Sequence, residues 1–179
     1  MEYCAEKGLN LCLIDFAGSG LSGGEYISLG WFERYDVRNL IMILEAKHAV
    51  TGIILWGRSM GAATAMLTNA LQSMTLPIDM IILDSPFMNL KKVYQRCVKK
   101  VISLPNLFID MIYQYAKRKI KRNVGFDISK VRPVDVSDNV RCPVIFIGSH
   151  EDELVDYKDM KKLFTKFKTS KKIFVGNFF

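Results

Sequence analysis

Histidine is scarce in this chain: 179 residues contain two, His48 and His150. Any mechanism that needs an imidazole base near neutral pH therefore has few candidates. The four cysteines, Cys4, Cys12, Cys97 and Cys142, are scattered, and no pair has redox or metal-ligand spacing. They read as reduced thiols, mostly buried, with Cys12 and Cys142 in or beside apolar runs and expected in the core. No apolar run reaches the roughly 18 residues that would cross a bilayer. Met1 to Lys7 is charged and lacks the apolar stretch of a signal peptide. The expected compartment is the cytoplasm. There is no internal repeat, no low-complexity linker and no nucleic-acid-binding motif.

What is present is one domain's worth of chain, 20.4 kDa and half apolar, ample for a core. The net charge of +7 is clustered. Lys91-Lys92, Arg96, Lys99-Lys100, Lys117-Arg118-Lys119, Lys121-Arg122, Lys161-Lys162 and Lys171-Lys172 carry most of it. The favoured reading is solvated helix faces. The functional alternative is contact with an anionic membrane surface or an acidic partner.

Strand and helix patterns alternate along the chain. Leu9–Phe16 reads as a buried strand that ends in a glycine-rich loop, Ala17 to Gly24. Trp31 to Lys47 reads as a helix with Trp31, Tyr35, Leu40, Ile43 and Leu44 on its apolar face. Thr51–Trp56 and Met80–Asp84 read as strands, with a helix from the elbow to about Ser73 between them. From Pro86 to Val140 there is no strand signal. Two helices are expected there, Leu90–Ile102 and Asn106–Ile120, broken at Pro105, the second with Phe108, Ile109, Ile112 and Tyr113 as its apolar stripe. Pro143–Gly148 is a strand, Asp156–Phe167 a helix and Lys172–Val175 the start of a last strand. Such alternation predicts an α/β fold, a mostly parallel sheet with helices on both faces.

One pentapeptide carries chemistry. Gly57-Arg58-Ser59-Met60-Gly61 follows an apolar strand and leads into Ala62-Ala63-Thr64-Ala65. A strand, a Gly-x-Ser-x-Gly turn and a small-residue helix form the nucleophile elbow of an α/β-hydrolase. The turn is expected to be too tight for a Cβ at either Gly57 or Gly61. Ser59 is expected in a strained conformation with its hydroxyl above the sheet. The Met60 N–H, at the start of the next helix, is placed to hold an oxyanion.

Three stretches extend this pattern: Asp15 to Trp31, Leu55 to Ala62, and Ile82-Leu83-Asp84-Ser85-Pro86-Phe87. Together they resemble the serine aminopeptidase-like branch of the α/β-hydrolase superfamily, particularly its uncharacterised plant and protist members. The resemblance covers nearly the whole chain. It implies an α/β-hydrolase fold and a Ser-Asp-His hydrolase of esters, thioesters or amides, with no metal or organic cofactor. Ser59 matches the nucleophile and Asp152, in the loop after Pro143–Gly148, matches the acid, with Glu151 as the alternative. Residues 88–131 fall where the fold inserts its helical lid. Gly18 and Gly20 are expected to turn the first loop. Ser85 and Pro86 are expected to line the pocket, and Arg58 to sit at the rim or pair with a carboxylate.

The general base does not match. The family places a histidine directly after a Gly-Asp or Gly-Asn pair, and here Gly176-Asn177 is followed by Phe178. His48 is expected to end a helix at the wrong end of the sheet. His150 lies in the acid's own segment and is the alternative base. A strand ending in a His-Gly loop, which gives the second oxyanion donor in the family, has no counterpart before Asp15. Its place is between the strand of Leu9–Asp15 and that of Thr51–Trp56. The expectation is a single partial domain over 1–179, from a longer product or a late-starting, early-ending gene model. Two other readings stand beside hydrolysis: a non-catalytic binding or scaffold protein, and an inactive fragment. A basic lid docking on anionic membrane is a further one.

Overall fold

Four short runs of β-branched and aromatic residues pair in register. The strands are β1 (Ile54–Arg58), β2 (Met80–Asp84), β3 (Val144–Gly148) and β4 (Lys172–Gly176), adjacent in that order and all parallel. The computed structural model describes residues 4, 6–71 and 78–176. One face of the sheet carries Leu55, Ile81, Leu83, Val144 and Phe146. It packs against Ala62, Ala65 and Met66 of α2 (Met60–Asn69) and Leu163 of α5 (Tyr157–Lys166). Phe146 meets Phe164 and Phe167 edge-on, with centroids at 5.3 and 5.0 Å. The pleat sends Trp56, Ile82, Ile145 and Ile173 to the other face. There Trp56 is 67% and Ile173 60% exposed.

Strand β1 lies at an edge of the described sheet, with β2 on one side. The expected buried strand at Leu9–Phe16 is not seen. Those residues have no strand pairing, Leu9, Leu11, Leu13 and Ile14 are exposed, and Leu13 reaches 76%. An apolar run becomes a strand only where a neighbour accepts its backbone hydrogen bonds, and no described strand lies beside this one. Cys12, expected in the core, is exposed with it. Cys142 is half-buried.

The first described long helix, α1 (Glu33–Lys47), is turned from the expected face. It buries Glu33, Val37 and Ile41, while Ile43 is exposed. Polar contacts set this rotation. Glu33 accepts from the N–H groups of Ser28 and Gly30, the latter at 2.9 Å, and from the Ser28 hydroxyl. The Thr68 hydroxyl of α2 lies 3.3 Å from the Arg34 carbonyl and shares its one proton with the nearer Thr64 carbonyl of its own helix, at 2.8 Å. Helix α2 ends at Asn69, and the expected end near Ser73 lies outside the described residues.

Between β2 and β3 stand α3 (Leu90–Val101) and α4 (Asn106–Val124). The Asn89 side chain caps α3 by accepting from Lys92 N at 3.0 Å. Pro105 precedes α4, and Gly125 closes it in the left-handed region at φ 69°. Helix α4 buries Ile109 and Tyr113 only. Phe108 and Ile112, expected with them, face solvent. The buried stripe is one residue wide per turn because α4 leans on a narrow surface formed by α3 and the 3₁₀ turn Ile128–Lys130.

Candidate active site

The elbow is built as a strand that stops and a helix that starts within one residue. Ser59, between β1 and α2, has φ 49° and ψ −105°, outside the regions open to ordinary L residues. Its N–H donates to the Asp84 carbonyl at 2.8 Å, which carries the β1–β2 ladder one residue beyond the strand. Its carbonyl accepts from Ala63 N at 3.1 Å, which begins α2. One residue is thus held by sheet on one side and helix on the other, and this keeps it in a costly conformation. Met60 is the first residue of α2. Its N–H lies in the first helical turn, where no intrahelical carbonyl is available and the helix dipole favours an anion.

The two elbow glycines differ. A Cβ on Gly57 would sit 2.2 Å from the carbonyl carbon and oxygen of Gly61 and 2.6 Å from Ala62 N. A Cβ on Gly61 would meet nothing within 4 Å. The expectation that both positions exclude a side chain is corrected at Gly61. The crowding is one-sided, because Gly61 contributes its backbone to the contact and its own Cα points to open space. Arg58 is resolved as well: its side chain is 81% exposed, with Nε 3.8 Å from Asp84 Oδ2.

Strand β2 ends much as β1 does. Ser85 has φ 50°, and its N–H donates to the Ile147 carbonyl at 2.8 Å. Pro86 and Phe87 behind it are buried. Strand β3 then leads to the loop expected to carry the acid, called the acid loop below. Asp152 is half-buried, and its Oδ1 accepts from the N–H groups of Leu154 at 2.9 Å and Val155 at 2.8 Å. Glu151 is exposed, its N–H donating to the Ser149 hydroxyl at 3.1 Å. Glu153 is engaged by Lys100 at 2.6 Å, whose ammonium holds its carboxyl below the usual range.

Parallel strands put Ser59, Ser85 and the acid loop at one edge of the sheet, the carboxyl ends, where open α/β sheets bind ligands. Ser59 and the acid loop are separated laterally by β2, or about 10 Å at two strand spacings. The histidines do not join them in the same way. His48 is exposed and follows α1, so it stands where β1 begins. The His150 ring lies on Tyr157, centroids 3.6 Å apart. The base position expected after Gly176, residues 177 and 178, lies outside the described residues.

The glycine-rich loop after Leu9–Phe16 folds on itself. The Asp15 carboxylate accepts from Leu21 N at 3.0 Å, and Gly20, at φ 56°, lies so close that a Cβ would be 2.2 Å from it. Ala17 N donates to Asp36 of α1 at 3.1 Å. Two residues with structural weight at or near the site, Glu33 and Arg96, have roles that the sequence did not announce, and Tyr113, expected on the apolar stripe of its helix, is buried as expected but brings an unpartnered hydroxyl with it. Glu33 is 2% exposed and fully engaged by Ser28 and Gly30. Tyr113 is buried beside the aromatic pair partner Tyr94, and no described residue accepts its hydroxyl proton. Arg96 reaches the acid loop from α3. For Glu33 the available signal was Ser28 five residues before it, the kind of short polar side chain that organises a helix entry. Among the described residues no group of three or more His, Cys, Asp or Glu is placed to hold a metal ion.

The geometry agrees with what the chain is similar to. A family model described as Serine aminopeptidase, S33 matches residues 1–133. An uncharacterised protein of Bacillus subtilis, YqkD, is 27% identical over 177 residues, 98% of this chain and 57% of that protein. The lysophosphatidylserine lipase ABHD12 of Xenopus tropicalis is 26% identical over 174 residues, 91% of this chain and 40% of the relative. The chain thus spans about half the length of these relatives. Among solved structures, the Pyrococcus furiosus esterase Pf2001 superposes with a TM-score of 0.75 at 21% identity, covering 98% of this chain and 64% of the esterase. At that identity the likeness is one of fold, and the fold is that of the α/β-hydrolases.

Proposed function

Because the chain belongs to the serine aminopeptidase S33 family, whose members share the α/β-hydrolase fold, we propose that it provides the nucleophile, acid and oxyanion donor of a serine hydrolase acting on esters, thioesters or amides. The Ser59 Oγ attacks the acyl carbonyl and gives its proton to a histidine base, which the family pattern places directly after Gly176-Asn177, where this chain has Phe178, with His150 as the alternative. The Met60 N–H holds the oxyanion, and Asp152 orients the imidazolium. The leaving alcohol, thiol or amine departs with that proton, and water releases the acyl group by the same steps in reverse order. The observation that carries this reading is the Ser59 backbone, pinned at φ 49° between the Asp84 carbonyl and the first turn of α2. Ser85 shares the positive φ at 50°, but Ser59 alone of the two opens a helix directly, inside a Gly-x-Ser-x-Gly turn, and that combination is the one a nucleophile elbow requires.

The test begins with the full-length transcript across both ends of this reading frame, followed by assay of its product on short acyl esters. Hydrolysis that falls by several orders of magnitude in Ser59→Ala, and similarly in Asp152→Asn, supports the proposal. A product that binds acyl ligands with no turnover, unchanged by Ser59→Ala, returns the chain to the binding-protein reading.

A second observation bears on the substrate. Residues 88–131 serve in this proposal as a lid. The exposed stripe of α4 runs Leu107, Met111 and Tyr115 and continues as Arg118 and Arg122, apolar over its first turns and basic over its last. That arrangement suits an anionic lipid surface, with the apolar half among acyl chains and the basic half among headgroups. It fits the named substrate of the ABHD12 relatives. Among the described residues no helix is long and apolar enough to cross a membrane. On the strength of that stripe we place the protein at the cytoplasmic surface of a membrane. Co-sedimentation with phosphatidylserine vesicles at low salt, lost at high salt and absent with phosphatidylcholine, is the expected result. Equal indifference to both vesicles would overturn it.

A further inference from the structure

Three cations on one stripe of α3 meet three carboxylates of the chain that leaves the acid loop. Lys92 Nζ lies 2.7 Å from Asp159 Oδ1, Arg96 Nη1 3.3 Å from Asp156 Oδ2, and Lys100 Nζ 2.6 Å from Glu153 Oε2. The spacing i, i+4, i+8 on the helix is answered in reverse order, so α3 runs antiparallel to residues 153–159. Phe87, Val93 and Val155 line the crevice beneath these pairs. The middle cation does more than pair. Arg96 Nη2 donates to the backbone carbonyl of Asp152 at 3.2 Å while Nη1 faces Asp156. The same Asp152 bends its carboxylate back onto the N–H groups of Leu154 and Val155. Asp156 in turn caps α5 by accepting from Lys158 N at 2.7 Å.

We propose that Arg96 is the positioning residue for Asp152, and that α3, through this ladder, sets where the acid loop stands. The proposal rests on the reading of Asp152 as the triad acid, but the mechanical link is measurable without it. An arginine is needed because two bonds in different directions leave one planar fork, and a lysine ammonium reaches one acceptor at that geometry. The pairs are partly exposed and individually weak, so their effect is local order, with little change in global stability. The coupling also runs both ways. A ligand or surface that shifts α3 relaxes the acid loop, and this ties substrate access to triad geometry.

The experiment is amide hydrogen exchange, resolved by residue, on the 1–179 chain. In Arg96→Met the Leu154 and Val155 amides are expected to exchange about tenfold faster, with β2 amides unchanged. Arg96→Lys is expected to behave like Arg96→Met, because it keeps the charge and loses the second bond. Should Arg96→Met fail to fold, Arg96→Lys and a salt titration of the unaltered chain carry the same comparison. Exchange at Leu154 and Val155 that matches the parent in both variants would overturn the proposal, as would a uniform rise across all amides. In the full-length product, Arg96→Lys is expected to lower kcat with KM nearly unchanged. If instead Arg96→Lys loosens the loop while Asp152→Asn leaves hydrolysis intact, the positioning stands as mechanics and the acid assignment falls.

Discussion

Gly57 and Gly61 face each other across the elbow at a distance no side chain can enter from the Gly57 side. A Cβ there would lie 2.2 Å from the Gly61 carbonyl, a backbone group that cannot swing away. Gly57→Ala is therefore expected to cost more than about 3 kcal/mol or to prevent folding. Gly61→Ala meets open space and replaces a helical glycine, so it should be neutral or gain up to about 1 kcal/mol. Thermal denaturation of the two variants side by side checks this, and similar losses in both would refute the one-sided crowding.

The Glu33 carboxylate is a second anchor, holding the Ser28–Gly30 turn at the start of α1. Glu33→Gln keeps the shape but turns an NH₂ group toward donors. The expected loss is about 1–3 kcal/mol, for buried N–H groups left without an acceptor. At roughly 2–4 °C per kcal/mol for a chain of this size, the change in melting temperature is easily read. No change would show that the turn is held by something else.

Some of this was legible from residues alone. Met80–Asp84 is a short apolar run between breakers, and it is β2 with the same limits. The interruption at Pro105 and the starts of α3 and α4 are likewise local facts of capping and proline geometry. The elbow was legible because its glycines and serine answer to one turn. What depended on neighbours was not. Leu9–Phe16 has strand composition but no paired strand beside it, and Leu13 faces solvent. Lys92, Arg96 and Lys100 of α3 read as part of a solvated face. They pair with Asp159, Asp156 and Glu153, about sixty residues away, and no local pattern announces such a register. The face of α1 differs from the expected one because a buried carboxylate, Glu33, sets it, and an apolar count does not register a carboxylate.

Tyr113 offers a prediction of opposite sign. Its ring is packed against Tyr94, centroids 5.4 Å apart, but its hydroxyl is buried without an acceptor among the described residues. Burial accordingly pushes the phenol above its ordinary range, with the nearby Asp127 charge adding to it. Tyr113→Phe keeps the ring contacts and removes the unsatisfied group. It should raise stability by about 1 kcal/mol. A clear loss of stability would mean that a bound water or ligand occupies that hydroxyl in solution.

The two cysteines expected in the core should separate by reactivity. Cys12 is exposed, whereas burial pushes the Cys142 thiol from 9.0 up to about 11. The thiolate is the reacting form, so at pH 8 iodoacetamide should modify Cys12 well before Cys142, and denaturation should bring the two rates together. The same shift has a consequence for folding. Below the ordinary thiol value both states hold the proton, and Cys142 makes stability no more sensitive to pH. Between that value and about 11 the unfolded chain releases a proton that the folded chain keeps, so stability falls as pH rises through that window. Cys142→Ala should remove this part of the alkaline loss. Peptide mapping of the alkylated protein and alkaline unfolding curves of the two chains give the check. Equal labelling of Cys12 and Cys142 in the native protein would place the segment around Cys142 outside the core.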